Sequence, residues 1–153
     1  MVDLSRGFTV QRVFDASAEQ IWRAWTDPDE VAHWWHPRGA TTPRESVELD
    51  PRVGGAYRYT MVNDATGDDV TTGGVYRTVV PVERLAFTWG DPGADPDESP
   101  VVTISIVPAG DLTRLSLELR GADGMKGDGY LYDGWESALD SLAEHLGQTA
   151  VHG

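Results

Sequence analysis

The sequence predicts an α+β fold, in which a curved antiparallel sheet of about seven strands wraps around a long C-terminal helix. Short alternating segments separated by turns rich in Gly and Pro fill the middle of the chain, and they are typical of antiparallel strands. The clearest helical periodicity lies near the C-terminus. A helix with one broad apolar face needs a sheet or another helix to cover it. Two short helices are also predicted, directly after the first strand.

The N-terminal part is predicted to be a strand followed by a bent pair of helices. Residues 8–14 are rich in β-formers and read as the strand. Ser17 and Gln20 fit a capping box for the first helix. Asp27 followed by Pro28 fits the cap and first turn of a second helix. The apolar positions at helical spacing are Ala18, Ile21, Trp22 and Trp25 in the first helix, and Val31, Trp34 and Trp35 in the second, which Pro37 and Gly39 end.

The middle of the chain is predicted to form the rest of the sheet. The strands are expected at 42–49, 55–62, 70–80, 83–89, 101–107 and 113–119. The pair Gly73-Gly74 indicates either a bulge or a close approach of two backbones. Arg58 is expected on the exposed face of its strand, because arginine is rarely buried without a partner. The acidic segment 90–100, which contains three prolines, is predicted to be a mobile loop.

The long helix is predicted to follow the glycine-rich loop 120–129. Either Asp128 or Asp133 can cap it, and the earlier start is preferred. That start places Gly134 inside the helix, where glycine lowers stability by about 1 kcal/mol relative to alanine. Gly147 is predicted to end the helix as its C′ residue. Its apolar stripe consists of Tyr132, Trp135, Leu139, Leu142, Ala143 and Leu146. With no internal repeat or long linker, residues 1–153 are expected to form one domain.

Composition excludes several classes of function. The chain of 153 residues has no cysteine, so it can form neither disulfides nor thiolate metal sites. Its net charge of −13 opposes binding to nucleic acid or to an anionic membrane. No apolar run is long enough to span a membrane, and the N-terminus lacks the apolar segment of a signal peptide. A cytoplasmic location and no cofactor are therefore expected.

Four segments, in order, resemble one known superfamily. They are "FDASAEQIWRAWTDPDEVAHWW", "DPRVGGAYRY", "GGVYRTVVPVERLAFTW" and "GWESALDSLAEHL". They are similar to the START/Bet v 1-like (SRPBCC) superfamily, and within it to single-domain bacterial homologues of the activator of heat-shock-protein-90 ATPase. The resemblance implies the helix-grip fold. It also implies a cavity of the kind that holds lipids, hormones or polyketides, and in some members an enzyme active site.

The stretch "HWWHPRG" raises the question of a metal site. His33 and His36 have i, i+3 spacing and could share one helical face. However, zinc normally takes three or four ligands, and the other histidines, His145 and His152, are distant in the sequence. No metal site is therefore predicted. A base-stacking role for the two tryptophans between them conflicts with the charge. Core packing is expected for at least one of them, and a place at a pocket mouth for the other.

The leading hypothesis is that a small apolar or aromatic molecule binds between the sheet and the helix Tyr132–Leu146. The candidate cavity residues are Trp34, Trp35, Tyr57, Tyr59, Met61, Tyr76, Phe87, Trp89, Tyr132, Trp135 and Leu139. Tyrosine hydroxyls among them could orient a ligand. No catalytic residue is assigned, because neither a nucleophile motif nor a phosphate loop is present. A polyketide cyclase or aromatase, and a chaperone-linked or other protein-interaction regulator, stay open as alternatives, as does a homodimer.

Overall fold

The computed structural model describes residues 2–37, 39–128 and 131–150, without the side chains of 148–150. Short 3₁₀ turns lie at Arg44–Ser46 and Pro96–Glu98. The other elements in chain order are β1 (Gly7–Phe14), α1 (Ala18–Thr26), α2 (Pro28–Trp34), β2 (Ala40–Thr41), β3 (Glu48–Leu49), β4 (Ala56–Asn63), β5 (Asp69–Val80), β6 (Arg84–Thr88), β7 (Val101–Ala109), β8 (Leu112–Arg120) and α3 (Leu131–Ala150). The predicted α+β architecture is confirmed.

Among the described residues, the sheet is antiparallel throughout and has eight strands. Its order is β1-β8-β7-β6-β5-β4-β2, and the two-residue β3 also pairs with β4. Arg12 on β1 links this edge of the sheet to α3, since its guanidinium lies 2.6 Å from Asp140 and 3.6 Å from Glu136. The C-terminal helix is therefore held against the sheet at the β1 side. None of the helices in the described ranges is both long and apolar enough to cross a membrane.

The two short helices begin where their capping residues predict. The Ser17 hydroxyl accepts from the Gln20 amide at 3.1 Å, and the Gln20 side chain accepts from the Ser17 amide at 2.8 Å. The carboxylate of Asp27 caps α2, and Pro28 occupies its first turn. Proline suits this position because the first helical N–H has no partner within the helix. Local sequence thus sets the bend between α1 and α2.

The predicted strand at 42–49 is wrong. The structure has the 3₁₀ turn Arg44–Ser46 and the two-residue strand β3 there, and the two-residue strand β2 ends just before, at Thr41. Pro43 lacks an N–H and cannot continue a ladder of hydrogen bonds. The hydroxyl of Ser46 instead donates to the Pro43 carbonyl at 2.6 Å and accepts from the Thr60 amide of β4 at 3.1 Å. Arg58 on the outer side of β4 is exposed, as predicted, and lies 3.5 Å from Glu48.

The glycine pair on β5 marks a close approach rather than a bulge. A Cβ atom at Gly74 would lie 2.2 Å from the carbonyl oxygen of Thr88 on β6. Such a contact is impossible, so only glycine allows the two strands this spacing. The register shift in the β5–β6 ladder falls between Tyr76 and Thr78. The close-approach alternative is therefore confirmed, and the bulge lies elsewhere.

The C-terminal helix follows the earlier of its two possible starts. The carboxylate of Asp128 accepts from the amides of Tyr132 and Asp133 at 3.2 and 3.3 Å. The prediction that Gly147 ends the helix is wrong, because α3 runs on past it with Gly147 in a helical conformation. Glycine inside a helix lowers stability by about 1 kcal/mol relative to alanine, which is too little to end a helix whose hydrogen bonds are already formed. Ala143 is exposed, so the buried stripe is narrower than predicted.

The acidic loop between β6 and β7 carries some local structure. Asp95 caps the 3₁₀ turn by accepting from the Asp97 amide at 2.9 Å. Asp97 in turn lies 2.8 Å from Arg77 of β5. Ser99 is buried and donates to the Asp95 carbonyl at 2.8 Å. The mobility expected of this loop stays a prediction.

Candidate ligand pocket

A largely apolar pocket of about 240 Å³ lies between α3 and the β4–β6 part of the sheet, and it is partly open to solvent. Its volume is close to the lower end of the range of about 300–1,000 Å³ that is usual for small-molecule sites. Its walls consist of Trp35, His36, Pro37, Tyr59, Met61, Trp89, Leu131, Gly134, Trp135 and Ala138. Side chains from four separate parts of the chain therefore meet in one place.

Each wall follows from a local feature of the sequence. Trp35 is the C-cap residue of α2, so its ring leaves the helix at the point where Pro37 prevents continuation. Tyr59 and Met61 are two residues apart on β4 and therefore share its inner face. Trp89 follows directly after β6. The opposite side is one face of α3.

The aromatic rings of the wall form a connected cluster. The ring centroids of Trp35 and Tyr59 lie 4.4 Å apart with the planes 25° from parallel. The rings of Trp89 and Trp135 are tilted at a centroid distance of 5.4 Å. Trp135 also reaches Trp35 at 6.4 Å. Aromatic pairs of this kind contribute stability beyond the burial of their area, so these rings hold one another in place at the pocket wall.

The space itself exists because two positions on α3 are small. A Cβ atom at Gly134 would meet no atom within 4 Å. Ala138 lies one turn further on, on the same face of the helix. The neighbouring positions of the stripe carry large side chains, such as the fully buried Leu139. A helix with a large residue at either small position would fill the pocket.

The structure brings some of the candidate cavity residues to the pocket wall and places others elsewhere. The wall contains Trp35, Tyr59, Met61, Trp89 and Trp135. The packed core contains Trp34, Tyr57, Tyr76, Phe87 and Leu139. Tyr132 is half-buried, and its ring contacts Phe8 at 5.1 Å. Sequence reasoning missed the remaining wall residues, although the small residues at i, i+4 in an otherwise bulky stripe were a usable signal.

The two adjacent tryptophans have different environments. Trp34 has no exposed surface, and its indole nitrogen donates to the Ala24 carbonyl at 2.8 Å, which joins α2 to α1. Its ring meets Trp25 edge-on at 4.6 Å. The ring of Trp35 stacks on that of Trp34 at a centroid distance of 5.8 Å, and it also forms part of the pocket wall. One tryptophan is therefore core, and its neighbour faces the cavity.

His36 is the histidine of the pocket wall. Its Nδ1 lies 3.1 Å from the Thr42 hydroxyl, and that hydroxyl donates to the Trp35 carbonyl at 2.9 Å. Burial lowers the pKa of His36, and the Asp64 carboxylate offsets part of that shift. The imidazole is therefore neutral at pH 7.

The other polar groups of the wall are also uncharged. Burial raises the pKa of the Tyr59 hydroxyl, and the facing indole N–H of Trp89 offsets part of this without reaching good hydrogen-bond geometry. The buried indole nitrogens of Trp89 and Trp135 have no acceptor among the described residues. The described part of the wall thus carries no charged side chain at neutral pH. It suits a neutral ligand.

His33 and His36, the pair considered for a metal, do not come together. His33 is exposed and stacks on His145 of α3, with ring centroids 5.4 Å apart. The Nε2 atom of His145 lies 2.9 Å from a carboxylate oxygen of Glu30. His36 lies beyond the end of α2 at Thr42. In the described ranges, no three His, Asp or Glu side chains are grouped so that they could hold a metal ion.

A curved antiparallel sheet packed on a C-terminal helix, with a pocket between them, defines the helix-grip class of the START/Bet v 1-like superfamily. The family model described as "Activator of Hsp90 ATPase homolog 1-like protein" matches residues 15–147. The chain belongs to this family. The resemblance noted in the sequence is confirmed.

Solved structures agree with this assignment. A protein from Chromobacterium violaceum is 31% identical, with a TM-score of 0.78 over 92% of this chain and 97% of that one. The AHSA1 protein from Silicibacter pomeroyi is 27% identical, with a TM-score of 0.78 over 94% and 99%. A protein from Nitrosomonas europaea, 19% identical with a TM-score of 0.81 over 99% and 100%, shares the fold. No curated protein matches the chain.

Proposed function

We propose that this protein binds a small, neutral, apolar or aromatic molecule in the pocket between α3 and the sheet. The observation that supports this most directly is an open space of about 240 Å³ behind a wall of aromatic rings. Ordinary cores close such spaces, because each void forfeits packing contacts. Here a glycine and an alanine on α3 keep the space open.

The volume sets the size of the ligand. At the packing density of protein interiors, about 0.74, the pocket holds roughly 180 Å³ of atoms, about the size of a fused two-ring or three-ring aromatic molecule. Burying about 250 Å² of apolar surface at ~25 cal/mol per Å² contributes about 6 kcal/mol. Part of this offsets the loss of ligand freedom on binding. A dissociation constant between micromolar and millimolar is therefore expected.

A matched pair of substitutions on α3 tests the proposal. Ala138→Leu adds three carbon atoms at the pocket wall, and Ala143→Leu adds the same atoms on the exposed face of the same helix. Titration calorimetry with 2-methoxynaphthalene measures binding to each protein. We expect the wild type and Ala143→Leu to bind equally, and Ala138→Leu to bind at least tenfold more weakly. The proposal fails if the wild type does not bind, or if the two variants bind alike.

A second candidate function is catalysis of the polyketide cyclase or aromatase kind. It is favoured by the presence of His36 and Tyr59 on one wall with pKa values moved apart, the first lowered and the second raised, both chiefly by burial. A neutral imidazole can act as a base and a protonated phenol as an acid. Absorbance of an aromatic product from a 1,3-diketone chain would reveal turnover. Turnover that persists in His36→Ala would exclude this role.

The interaction-regulator hypothesis has less support. The outer face of the strands β1, β8, β7 and β6 carries polar side chains, among them Gln11, Thr103, Ser105 and Ser116. A protein-docking face normally has an apolar centre. The exposed large apolar residues of the described chain lie towards the ends of strands, as Val13 and Leu112 do, or in loops, as Val53 and Met125 do. A homodimer, a protein partner and a cytoplasmic location stay predictions.

A further inference from the structure

We infer that His36 selects the ligand, by accepting at its Nε2 atom a hydrogen bond from a hydroxyl or N–H group of a neutral aromatic molecule. The inference rests on the proposed function and adds the chemical class of the ligand. It starts from a chain of two hydrogen bonds behind the imidazole ring.

The chain of hydrogen bonds determines which ring nitrogen carries the proton. The Thr42 hydroxyl has a single hydrogen, and it donates that hydrogen to the Trp35 carbonyl at 2.9 Å. The Thr42 oxygen can then only accept from the His36 Nδ1 atom, 3.1 Å away. Thr42 is only 3% exposed, so water does not compete for it. Nδ1 is therefore protonated, and in the neutral ring Nε2 keeps its lone pair.

The imidazole is placed to use that lone pair on a ligand. His36 is half-buried and forms part of the pocket wall. Within the described ranges, Nε2 makes no hydrogen bond, whereas Nδ1 is fully used by Thr42. The indole groups of Trp89 and Trp135 on the same wall can only donate. The Tyr59 hydroxyl can also accept, but it faces the indole N–H of Trp89, and a neutral imidazole nitrogen is a stronger acceptor than a phenol oxygen. His36 is therefore the favoured acceptor for a donor on the ligand.

The charge state supports the same role. Burial keeps His36 neutral at pH 7, although the carboxylate of Asp64 partly offsets that effect. Protonation would turn Nε2 into a donor and would place a positive charge on an apolar wall. The preference for a donor-bearing ligand should consequently fade as the pH falls below the pKa of His36.

Two ligands that differ by one donor test the inference. 2-Naphthol carries a hydroxyl, and 2-methoxynaphthalene has the same rings but cannot donate. One neutral hydrogen bond contributes about 0.5–1.5 kcal/mol, so calorimetry at pH 8 should show the wild type preferring 2-naphthol roughly threefold to tenfold. His36→Phe should bind 2-methoxynaphthalene normally but lose the preference. His33→Phe, a matched change at an exposed histidine, should keep the preference.

A direct measurement covers the case in which His36→Phe does not fold. Long-range ¹H–¹⁵N correlation spectra of the wild type report which ring nitrogen is protonated, and we expect Nδ1–H with an Nε2 signal that shifts on addition of 2-naphthol. Thr42→Val should release the tautomer and reduce the preference. An Nε2–H tautomer, or a preference that survives in His36→Phe, would overturn the inference.

The outcomes separate this inference from the proposed function. If the wild type binds both naphthalenes equally and Ala138→Leu weakens both, the pocket is a ligand site and His36 does not select its ligand. If the wild type binds neither ligand, the proposed function fails and the inference fails with it.

Discussion

Replacing Leu139 by tryptophan tests how the space beneath α3 is divided between core and pocket. Leu139 and Ala138 are adjacent in the sequence, and consecutive helical residues lie about 100° apart around the helix. Leu139 has no exposed surface and lies outside the pocket wall, whereas Ala138 forms part of that wall. The two positions should therefore respond in opposite ways to a larger side chain.

The expected changes in the free energy of unfolding follow from this difference. A tryptophan at position 139 has no space to enter and should cost about 1–3 kcal/mol or more through overpacking. Leu139→Ala should cost about 2–5 kcal/mol, because it leaves a void in a filled core. Ala138→Leu places its added carbons in the open pocket and should be neutral or stabilising, by up to about 0.8 kcal/mol per buried methylene.

Urea denaturation followed by tryptophan fluorescence measures these differences. With a slope of about 1–3 kcal/mol per molar urea, a loss of about 2 kcal/mol moves the midpoint by roughly 1 M. Circular dichroism provides an independent signal, since Leu139→Trp adds a fluorophore. A midpoint of Leu139→Trp close to that of the wild type would refute the reasoning, because it would show that the cavity continues beneath Leu139.

Three further predictions concern glycine packing and pH. Gly74→Ala should lose several kcal/mol of unfolding free energy, because its Cβ atom would lie 2.2 Å from the Thr88 carbonyl oxygen; a wild-type urea midpoint would contradict this. Gly134→Ala and its control Gly147→Ala should each gain up to about 1 kcal/mol of stability, because neither added Cβ atom meets another atom within 4 Å. Only Gly134→Ala should weaken binding of 2-methoxynaphthalene, because only Gly134 lies at the pocket wall. Equal binding by both variants would exclude a role for Gly134 in pocket size. Because burial lowers the folded pKa of His36 below the unfolded value of 6.5, its contribution to stability is complete above pH 6.5 and is lost as the pH falls through the folded pKa. The unfolding free energy of His36→Gln should therefore fall less on acidification than that of the wild type, and identical slopes would contradict the assignment.

The sequence alone determined the features that depend on near neighbours. The capping box at Ser17, the cap at Asp27 and the alternation along β4 are properties of a few consecutive residues, and the structure has them where predicted. The same local rules misplaced the strand at 42–49. There the outcome depends on which strand is available as a partner, and Pro43 and Ser46 form a turn against β4 instead.

Only the tertiary structure decided which aromatic residues face the pocket. Periodicity assigns Trp34 and Trp35, or Ala138 and Leu139, to the apolar side of a helix, but it does not show how far the opposing sheet reaches towards each one. That distance depends on side chains from β4, β6 and α2 that are remote in sequence. The hydrogen bonds that set the tautomer of His36 likewise depend on Thr42, which only the chain reversal after α2 brings beside it. The pocket and its selectivity are therefore properties of packing between distant segments, which no local pattern encodes.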